Sequence, residues 1–252
     1  MMKQGNHGIE RTWPRGPRKR AIIGIAAVCL LLAGLSPAEA IPLAFQLRPG
    51  HTYTFEVTSR LTSEFSVFEN RHPLSTAATG TIAVKVLGAR QGVFIIDLWE
   101  GENHCRRFLR PDGSVVGAPG EEARRLPFFW TLPTGDWQPG QKHRVTKGLV
   151  NDRQTIPATW ELTLREFDAA SGRARIEVAG NVAIPTDKQI QRSIDAKGTL
   201  FFNVREGCFD QGEWTLTYQL AYANKEIAVQ RDLWKIQETR VIGFRLKEVT
   251  YE

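Results

Sequence analysis

The sequence predicts an all-β protein of about 11–12 antiparallel strands, folded as a strongly curved sheet, a partly closed barrel or a sandwich. Two observations lead to this prediction. Beyond residue 42, apolar and polar side chains alternate with a period of two through most of the chain, and clusters of Gly, Pro, Asn and Asp separate the alternating segments. In addition, the apolar spacing of an amphipathic helix is almost missing, so helices have little room.

The first predicted strands follow a turn at residues 48–51. Tyr53, Phe55 and Val57 alternate with polar residues, which is typical of a strand with one buried face. Residues 82–86 and 94–98 then form two alternating runs on either side of a Gly-containing segment. These two runs predict a β-hairpin.

The second half of the chain repeats this pattern. Residues 159–164 and 174–178 alternate on either side of the turn residues 168–172, and a further turn is predicted at residues 209–212, before a strand that carries Trp214. The two hairpins end on similar tripeptides, Ile-Asp-Leu and Ile-Glu-Val. Two similar β-meander halves, produced by an internal duplication, are therefore one arrangement that the sequence allows.

The last predicted strand changes character halfway along. Glu238 and Arg240 lie on one of its faces, and on either side of them the same face is apolar, with Trp234, Ile236, Ile242, Phe244 and Leu246. Charged side chains are almost never fully buried unless they are paired. We therefore expect this strand to leave the core midway or to meet an opening there.

Residues 1–40 have the three-part pattern of a secretory signal peptide. Basic residues at 18–20 precede an apolar stretch at 21–35, and small side chains flank Glu39 at the end of the segment. We expect cleavage there, which would release residues 41–252 as a single exported β domain, periplasmic or secreted. The apolar stretch is shorter than the roughly 20 residues that span a membrane. An uncleaved anchor and a lipid-modified leader are the alternatives.

The charge of the chain argues against a nucleic-acid partner. The sequence has 33 Lys and Arg against 27 Asp and Glu, a formal net charge of +6, and most of this excess lies in residues 1–40. No basic stripe with interleaved aromatic residues appears in the rest of the chain. Because a nucleic-acid interface needs such a stripe, we predict no nucleic-acid partner.

Two cysteines remain beyond the leader, Cys105 and Cys208. An even pair in an oxidising compartment is more often bridged than free, so we predict a disulfide between them. The alternative is a nucleophilic Cys105 activated by His104. Neighbouring residues of a strand point to opposite faces, which disfavours that alternative.

Residues 119–141 form a loop between the two halves that is rich in proline and aromatic residues. One interpretation is that its rings plug an open end of the sheet. The other is a mobile lip over an apolar cavity or against a membrane, beside two cations that suit an anionic head group. On the second interpretation the ligand-binding candidates are Arg124, Arg125, Phe128, Phe129, Trp130 and Trp137.

Patterns for catalysis and for metal binding are not found in the sequence. There is no Gly-x-Ser-x-Gly, no His-Glu-x-x-His and no phosphate-binding glycine loop. Glu100, Glu102 and His104 fall at alternate positions and could share a strand face, but no second cluster completes a metal shell. We therefore predict no catalytic residue, no metal and no cofactor.

Several segments carry a resemblance to a known family. Residues 47–55 match an L-x-x-G-x-x-Y-x-F strand, residues 132–140 begin with Leu-Pro and end with Gly, and residues 198–202 precede a turn and residues 213–215, Glu-Trp-Thr. Together they resemble an exported bacterial β-domain family of unknown function, which has a Leu-Pro…Gly-Asp-x-Trp linker between two β halves. The resemblance covers nearly all of residues 43–222. The linker departs from the family pattern, because Gln-Lys-His follows the glycine, and the family supplies no catalytic residue.

Export, β alternation with large aromatic residues and the lack of catalytic motifs favour a non-enzymatic module. We expect it to hold an apolar or amphipathic ligand, such as a lipid, or an envelope partner protein, in the concavity of a curved sheet. Peripheral membrane contact is compatible with this function. The alternatives are a structural envelope protein without a small ligand and an envelope hydrolase whose triad assembles from distant residues.

Overall fold

The computed structural model describes residues 40–67, 70–116, 127–151, 154–182, 190–223 and 232–251. In these ranges the regular elements are all β-strands, which confirms the predicted fold class, and no helix is long and apolar enough to cross a membrane. The strands are β1 (Ile41–Pro42), β2 (His51–Val67), β3 (Asn70–Arg90), β4 (Val93–Glu100), β5 (Asn103–Leu109), β6 (Asp136–Trp137), β7 (Lys142–Asn151), β8 (Gln154–Asp168), β9 (Arg173–Val182), β10 (Ile190–Asn203), β11 (Cys208–Ala223) and β12 (Asp232–Tyr251).

Ten of these strands form one antiparallel sheet, in the order β5-β4-β3-β2-β12-β11-β10-β9-β8-β7, and β1 pairs with β6 in a separate two-stranded sheet. The chain builds the large sheet from two meanders, β2 to β5 and β7 to β12, in which each strand pairs with the next. Pairing of β12 with β2 joins the meanders. The sheet is open, because the described residues of β5 and β7 lie at its two edges and do not pair with each other.

The hairpin predicted between β3 and β4 is confirmed. Only Gln91 and Gly92 connect the two strands. Both residues have positive φ, 51° for Gln91 and 74° for Gly92, which is the backbone of a two-residue turn whose twist matches the flanking strands. The second predicted hairpin also forms, with β8 and β9 paired on either side of residues 169–172.

The turn predicted at residues 209–212 is wrong, because these residues belong to β11 and the turn lies at residues 204–207. Asn203 favours the earlier position, since its side-chain oxygen accepts a hydrogen bond of 3.0 Å from the backbone N–H of Arg205. Phe209 is fully buried. Its burial in the core holds the residues around it in the sheet, although their composition is typical of a turn.

The core lies on one face of the ten-stranded sheet, which carries Tyr53, Phe55 and Phe244; we call it the inner face. Two segments outside this sheet, residues 43–47 and residues 127–137, contribute buried side chains to the same core. The two segments cover part of the inner face. Burial of apolar surface between a sheet and its cover is the main favourable term in folding.

Phe128 and Trp130 fix the second covering segment to the sheet. The Phe128 ring stacks on Phe55 of β2, with ring centroids 4.0 Å apart. The Trp130 ring centroid lies 5.2 Å from that of Trp160 in β8 and 5.5 Å from that of Trp214 in β11. Strands three positions apart are about 14 Å distant in a flat sheet, so these contacts indicate that the sheet curves around the ring.

The structure lacks the predicted disulfide, because Cys105 and Cys208 are both free. Cys105 lies on the edge strand β5, and Cys208 begins β11, five strand positions away along the sheet. With about 4.8 Å between neighbouring strands, the path along the sheet is about 24 Å, whereas bridged Cα atoms are usually about 4.4–6.8 Å apart. Burial raises the pKa of the Cys208 thiol, which makes this cysteine a poor nucleophile.

Candidate functional site

The aromatic residues that the sequence offers as binding candidates lie in the core. Each has an exposed fraction of 6% or less: Phe128, Phe129, Trp130 and Trp137. The indole N–H of Trp130 donates a hydrogen bond of 3.0 Å to the carbonyl of Pro127, so burial leaves no donor of this ring unsatisfied. This is the packing expected of a plug rather than of an exposed lip. Arg124 and Arg125, and the rest of residues 119–126, lie outside the described residues.

We call the four buried rings of Phe128, Phe129, Trp130 and Trp137 the plug. Beyond the plug the sheet continues as a five-stranded extension, which we call the wing. It consists of residues 59–67 of β2, 70–80 of β3, 190–197 of β10, 215–223 of β11 and 232–242 of β12. These strands are neighbours in the order β3-β2-β12-β11-β10. Their registers run without a bulge along almost the whole wing, so cross-strand partners identify which side chains share a face.

The inner face of the wing is apolar and is only partly covered. Phe65 is 39% exposed and Leu74 is 57% exposed. Among the described side chains of this face, Ile194 and Ala196 are buried and Ala78 is exposed. The other apolar or aromatic ones are half-buried: Leu61, Val67, Leu216, Tyr218, Leu220, Trp234, Ile236 and Ile242. A contiguous exposed apolar surface on a protein of this kind marks a binding or interaction site. This face is therefore the candidate site.

The outer face of the same strands is polar. On β2 it carries Arg60, Thr62, Glu64 and Ser66, and serine, threonine and charged residues predominate on the neighbouring strands as well. Glu64 pairs with Arg71 across the strand boundary, with 3.7 Å between Arg71 Nε and Glu64 Oε1. The wing is therefore an amphipathic sheet, which suits water on one side and an apolar partner on the other.

Two opposite charges of β12 interrupt the apolar inner face, and Arg192 of β10 occupies a position of the same face opposite Leu220. Arg240 lies between Leu61 of β2 and Leu216 of β11, and Glu238 pairs across the strand boundary with Tyr218. Arg240 is exposed and Glu238 is half-buried. Within the described part of the chain, neither forms an ion pair with the other or with a further residue. The sequence predicts that β12 leaves the core or meets an opening at Glu238 and Arg240. In the structure, both residues lie in the part of β12 that belongs to the wing.

Glu100, Glu102 and His104 do not lie together on one strand. Gly101 and Glu102 form the turn between β4 and β5, and Gly101 has a φ of 59°. This turn interrupts the strand, so Glu100, Glu102 and His104 do not lie at alternate positions along one strand, as the sequence suggested. Across the ranges that the structure describes, no group of three or more His, Cys, Asp or Glu side chains is placed to hold a metal ion.

Asp97 is a buried carboxylate held by two side chains of the edge strand β5. Arg106 donates two hydrogen bonds to it, from Nε to Oδ1 at 2.8 Å and from Nη2 to Oδ2 at 3.0 Å. His104 Nε2 lies 3.4 Å from Oδ2 of the same carboxylate. The hydrogen bonds from Arg106, more than any other contact, lower the pKa of Asp97. This cluster ties the free edge of the sheet to β4.

We expect Asp97 to stabilise the fold at neutral pH and to lose this contribution in acid. Its pKa is lower in the folded protein than in the unfolded chain, where it is about 3.9. The contribution is therefore fully present above that pH and is lost as the pH falls through the folded-state pKa. The urea midpoints of wild type and Asp97→Asn should differ at neutral pH and converge as the pH falls below about 4. A difference that stays constant down to the most acidic sample would contradict this.

A polar depression of about 380 Å³ lies on the outer face of strands β7 to β10. Lys142, Glu161, Arg165 and Glu177 line it and pair with one another. Lys142 Nζ lies 2.8 Å from Glu161 Oε1, and Arg165 Nη2 lies 2.6 Å from Glu177 Oε2. Because these charges already have partners, a charged ligand would have to displace them, so the depression is a weaker candidate than the wing.

Comparison with known proteins does not assign a family. No protein-family model matches the chain, and no curated protein matches it, so the family resemblance of the sequence stays a prediction. The chain is similar to a cryo-EM structure of the Salmonella SPI-1 type III secretion injectisome secretin InvG, with 9% identity, a TM-score of 0.20 and coverage of 91% of this chain and 70% of that chain. A second structure, of the basal body proteins InvG, PrgH and PrgK, gives the same identity and TM-score, with 91% and 50% coverage. A likeness at this TM-score carries no argument about function.

Proposed function

We propose that this protein is an exported, non-enzymatic β module that binds an amphipathic lipid on the inner face of the wing. The observation that carries the proposal is the partly exposed apolar inner face, which begins where the plug ends and is backed by a polar outer face. The leader pattern of residues 1–40 supports export. A lipid is the ligand class that an envelope supplies to such a face.

The wing offers continuous contact for an acyl chain. Phe65, Ile236 and Leu220 are direct cross-strand partners, so they form one apolar row across three neighbouring strands. Burial of apolar surface contributes about 25 cal/mol per Å², so a chain that removes roughly 200 Å² from water gains about 5 kcal/mol before the cost of association. This gain supports measurable binding only if binding does not also have to order the side chains of the site, which would cost further free energy.

The backbone of the wing supplies that order. Five strands paired in register hold the apolar side chains in fixed rows. A ligand that docks on them therefore orders few protein groups, which lowers the entropic cost of binding. A preformed, mostly apolar surface with a small number of polar groups is the usual form of a small-molecule site.

Leu220→Arg should abolish lipid binding, because it places a charge within the apolar row. In the experiment the full chain is incubated with a total lipid extract and repurified by gel filtration, and the lipid that co-elutes is quantified by mass spectrometry. We expect at least about tenfold less lipid on this variant than on the wild type, a difference of about 1.4 kcal/mol in binding.

Gln219→Arg is the matched control, since it introduces the same side chain at the preceding position, which lies on the outer face. This variant should retain as much lipid as the wild type. Equal lipid on both variants would contradict the assignment of the inner face. A wild-type protein that emerges free of lipid would contradict the proposal as a whole and would favour a structural envelope role without a small ligand.

A further inference from the structure

An acyl chain alone does not explain the two charged residues that β12 carries on the inner face of the wing. Arg240 and Glu238 are two residues apart on β12 and project from the same face, so their Cα atoms are about 6.6 Å apart. Leu61 and Leu216 flank Arg240 across the strand boundaries. An acyl chain that covered this row would remove water from both charges. That loss is costly unless the ligand itself supplies partners.

The order of charges along the wing specifies what those partners must be. Arg240 lies on the plug side and Glu238 on the side of the wing tip, where Ile236 and Trp234 continue the apolar face. A ligand head that matches both must carry an anionic and a cationic group a few bonds apart. A simple anionic head would satisfy Arg240 but would be repelled by Glu238.

The aromatic neighbours of Glu238 favour an ammonium group at that end. Tyr218 is its direct cross-strand partner on β11, and Trp234 lies four residues earlier on the same face of β12. Aromatic ring faces attract ammonium ions. Tyrosine and tryptophan also suit a boundary between apolar and polar groups.

We propose that the wing selects a zwitterionic phospholipid, with the lipid phosphate at Arg240, the ammonium group at Glu238 and one acyl chain beside this head group, along the apolar inner-face residues of β11. This inference rests on the proposed lipid-binding function and names the lipid class that it takes. The guanidinium group of Arg240 has the fork of donors that a phosphate accepts. The carboxylate of Glu238 supplies the opposite charge.

The test compares two probes with identical acyl chains, phosphatidylethanolamine and phosphatidylglycerol. Vesicles that contain both in equal amounts are mixed with the full chain, and the ratio of the two lipids bound to repurified protein is measured. The wild type should carry about tenfold more of the zwitterionic lipid. Arg240→Gln should lose lipid of both kinds. Glu238→Gln should shift the ratio toward phosphatidylglycerol, because it removes the repulsion of an anionic head and leaves Arg240 unchanged.

Arg60→Gln is the matched control, because it makes the same change on the outer face of the wing. It should leave the ratio unchanged, and circular dichroism of each variant verifies that it is folded. An unchanged ratio in Glu238→Gln, or an undiminished amount of bound lipid in Arg240→Gln, would overturn the head-group selection and leave lipid binding intact. Wild-type protein that binds neither lipid would overturn the proposed function itself.

Discussion

Trp130→Ala is expected to lower the free energy of unfolding by about 3–5 kcal/mol, as the loss of a large core side chain does. The ring is 1% exposed and bridges two distant strands of the sheet through Trp160 and Trp214. Its removal would leave a cavity between the sheet and the covering segment. Equilibrium denaturation in urea, followed by circular dichroism, measures the change.

Tyr251→Ala provides the comparison, because that aromatic residue is 75% exposed. A surface substitution of this kind should change stability by about 0.5 kcal/mol or less. If Trp130→Ala were as mild as this control and instead weakened lipid binding, the ring would form a lip at the site and the plug would be the wrong description. The two measurements together therefore separate a role in folding from a role in binding.

The local elements of the fold were predictable from the sequence. Alternation along Tyr53 and Phe55 identifies β2, and the segment around Gln91 and Gly92 identifies the β3–β4 hairpin before any coordinates are known. These signals are local, since they depend on the period of two and on residues that tolerate positive φ. The all-β class follows from them directly.

The long-range arrangement was not predictable in the same way. Pairing of β12 with β2 joins the first and the last strand, in chain order, of the ten-stranded sheet, and no local pattern specifies it. The predicted disulfide was wrong for the same reason. The number of cysteines suggests a pair, but the sequence does not show that Cys105 and Cys208 lie on strands five positions apart. The turn at residues 209–212 failed for another reason, since burial of Phe209 outweighs the turn preference of its neighbours.

The sequence predicted part of the candidate site, namely the two charges of β12, but not the wing on which they lie. Glu238 and Arg240 mark the point where β12 changes character, and they lie on the inner face of the wing. Leu61 and Phe65 continue the alternation of β2 on the same face, but the polar stretch of β3 beside them hides the wing from an analysis of one strand at a time. The composition of residues 119–141 allowed either a plug or a binding lip. Composition does not reveal whether rings face the core or solvent.

Gly113→Ala is the second substitution expected to have a large effect, at about 2–5 kcal/mol of lost stability. Gly113 has a φ of +80°, a conformation that costs an L-residue roughly 1–2 kcal/mol. An added Cβ would also lie 2.3 Å from the backbone oxygen of Trp130 and 2.6 Å from Cε2 of Phe45. Because one of these atoms belongs to the backbone, it cannot move aside cheaply, and overpacking adds about 1–3 kcal/mol.

The position of this turn explains why both cover segments would be disturbed together. The carbonyl of Pro111 accepts a hydrogen bond of 2.7 Å from the backbone N–H of Phe45, and the carbonyl of Asp112 accepts one of 2.6 Å from that of Leu132. One short turn thus attaches both segments that cover the inner face. A shift of its backbone would loosen the two contacts at the same time.

Gly140→Ala separates the two contributions, because Gly140 has a φ of +84° but no atom within 4 Å of an added Cβ. It should cost only the conformational part, about 1–2 kcal/mol. Urea denaturation of both variants under the same conditions gives the difference, which reports the collision at Gly113 alone. If the two variants were equally destabilised, the close approach of residues 43–47 and Trp130 to this turn would not constrain the fold. The curved sheet would then hold its cover by side-chain packing, with Trp130 as its main contact.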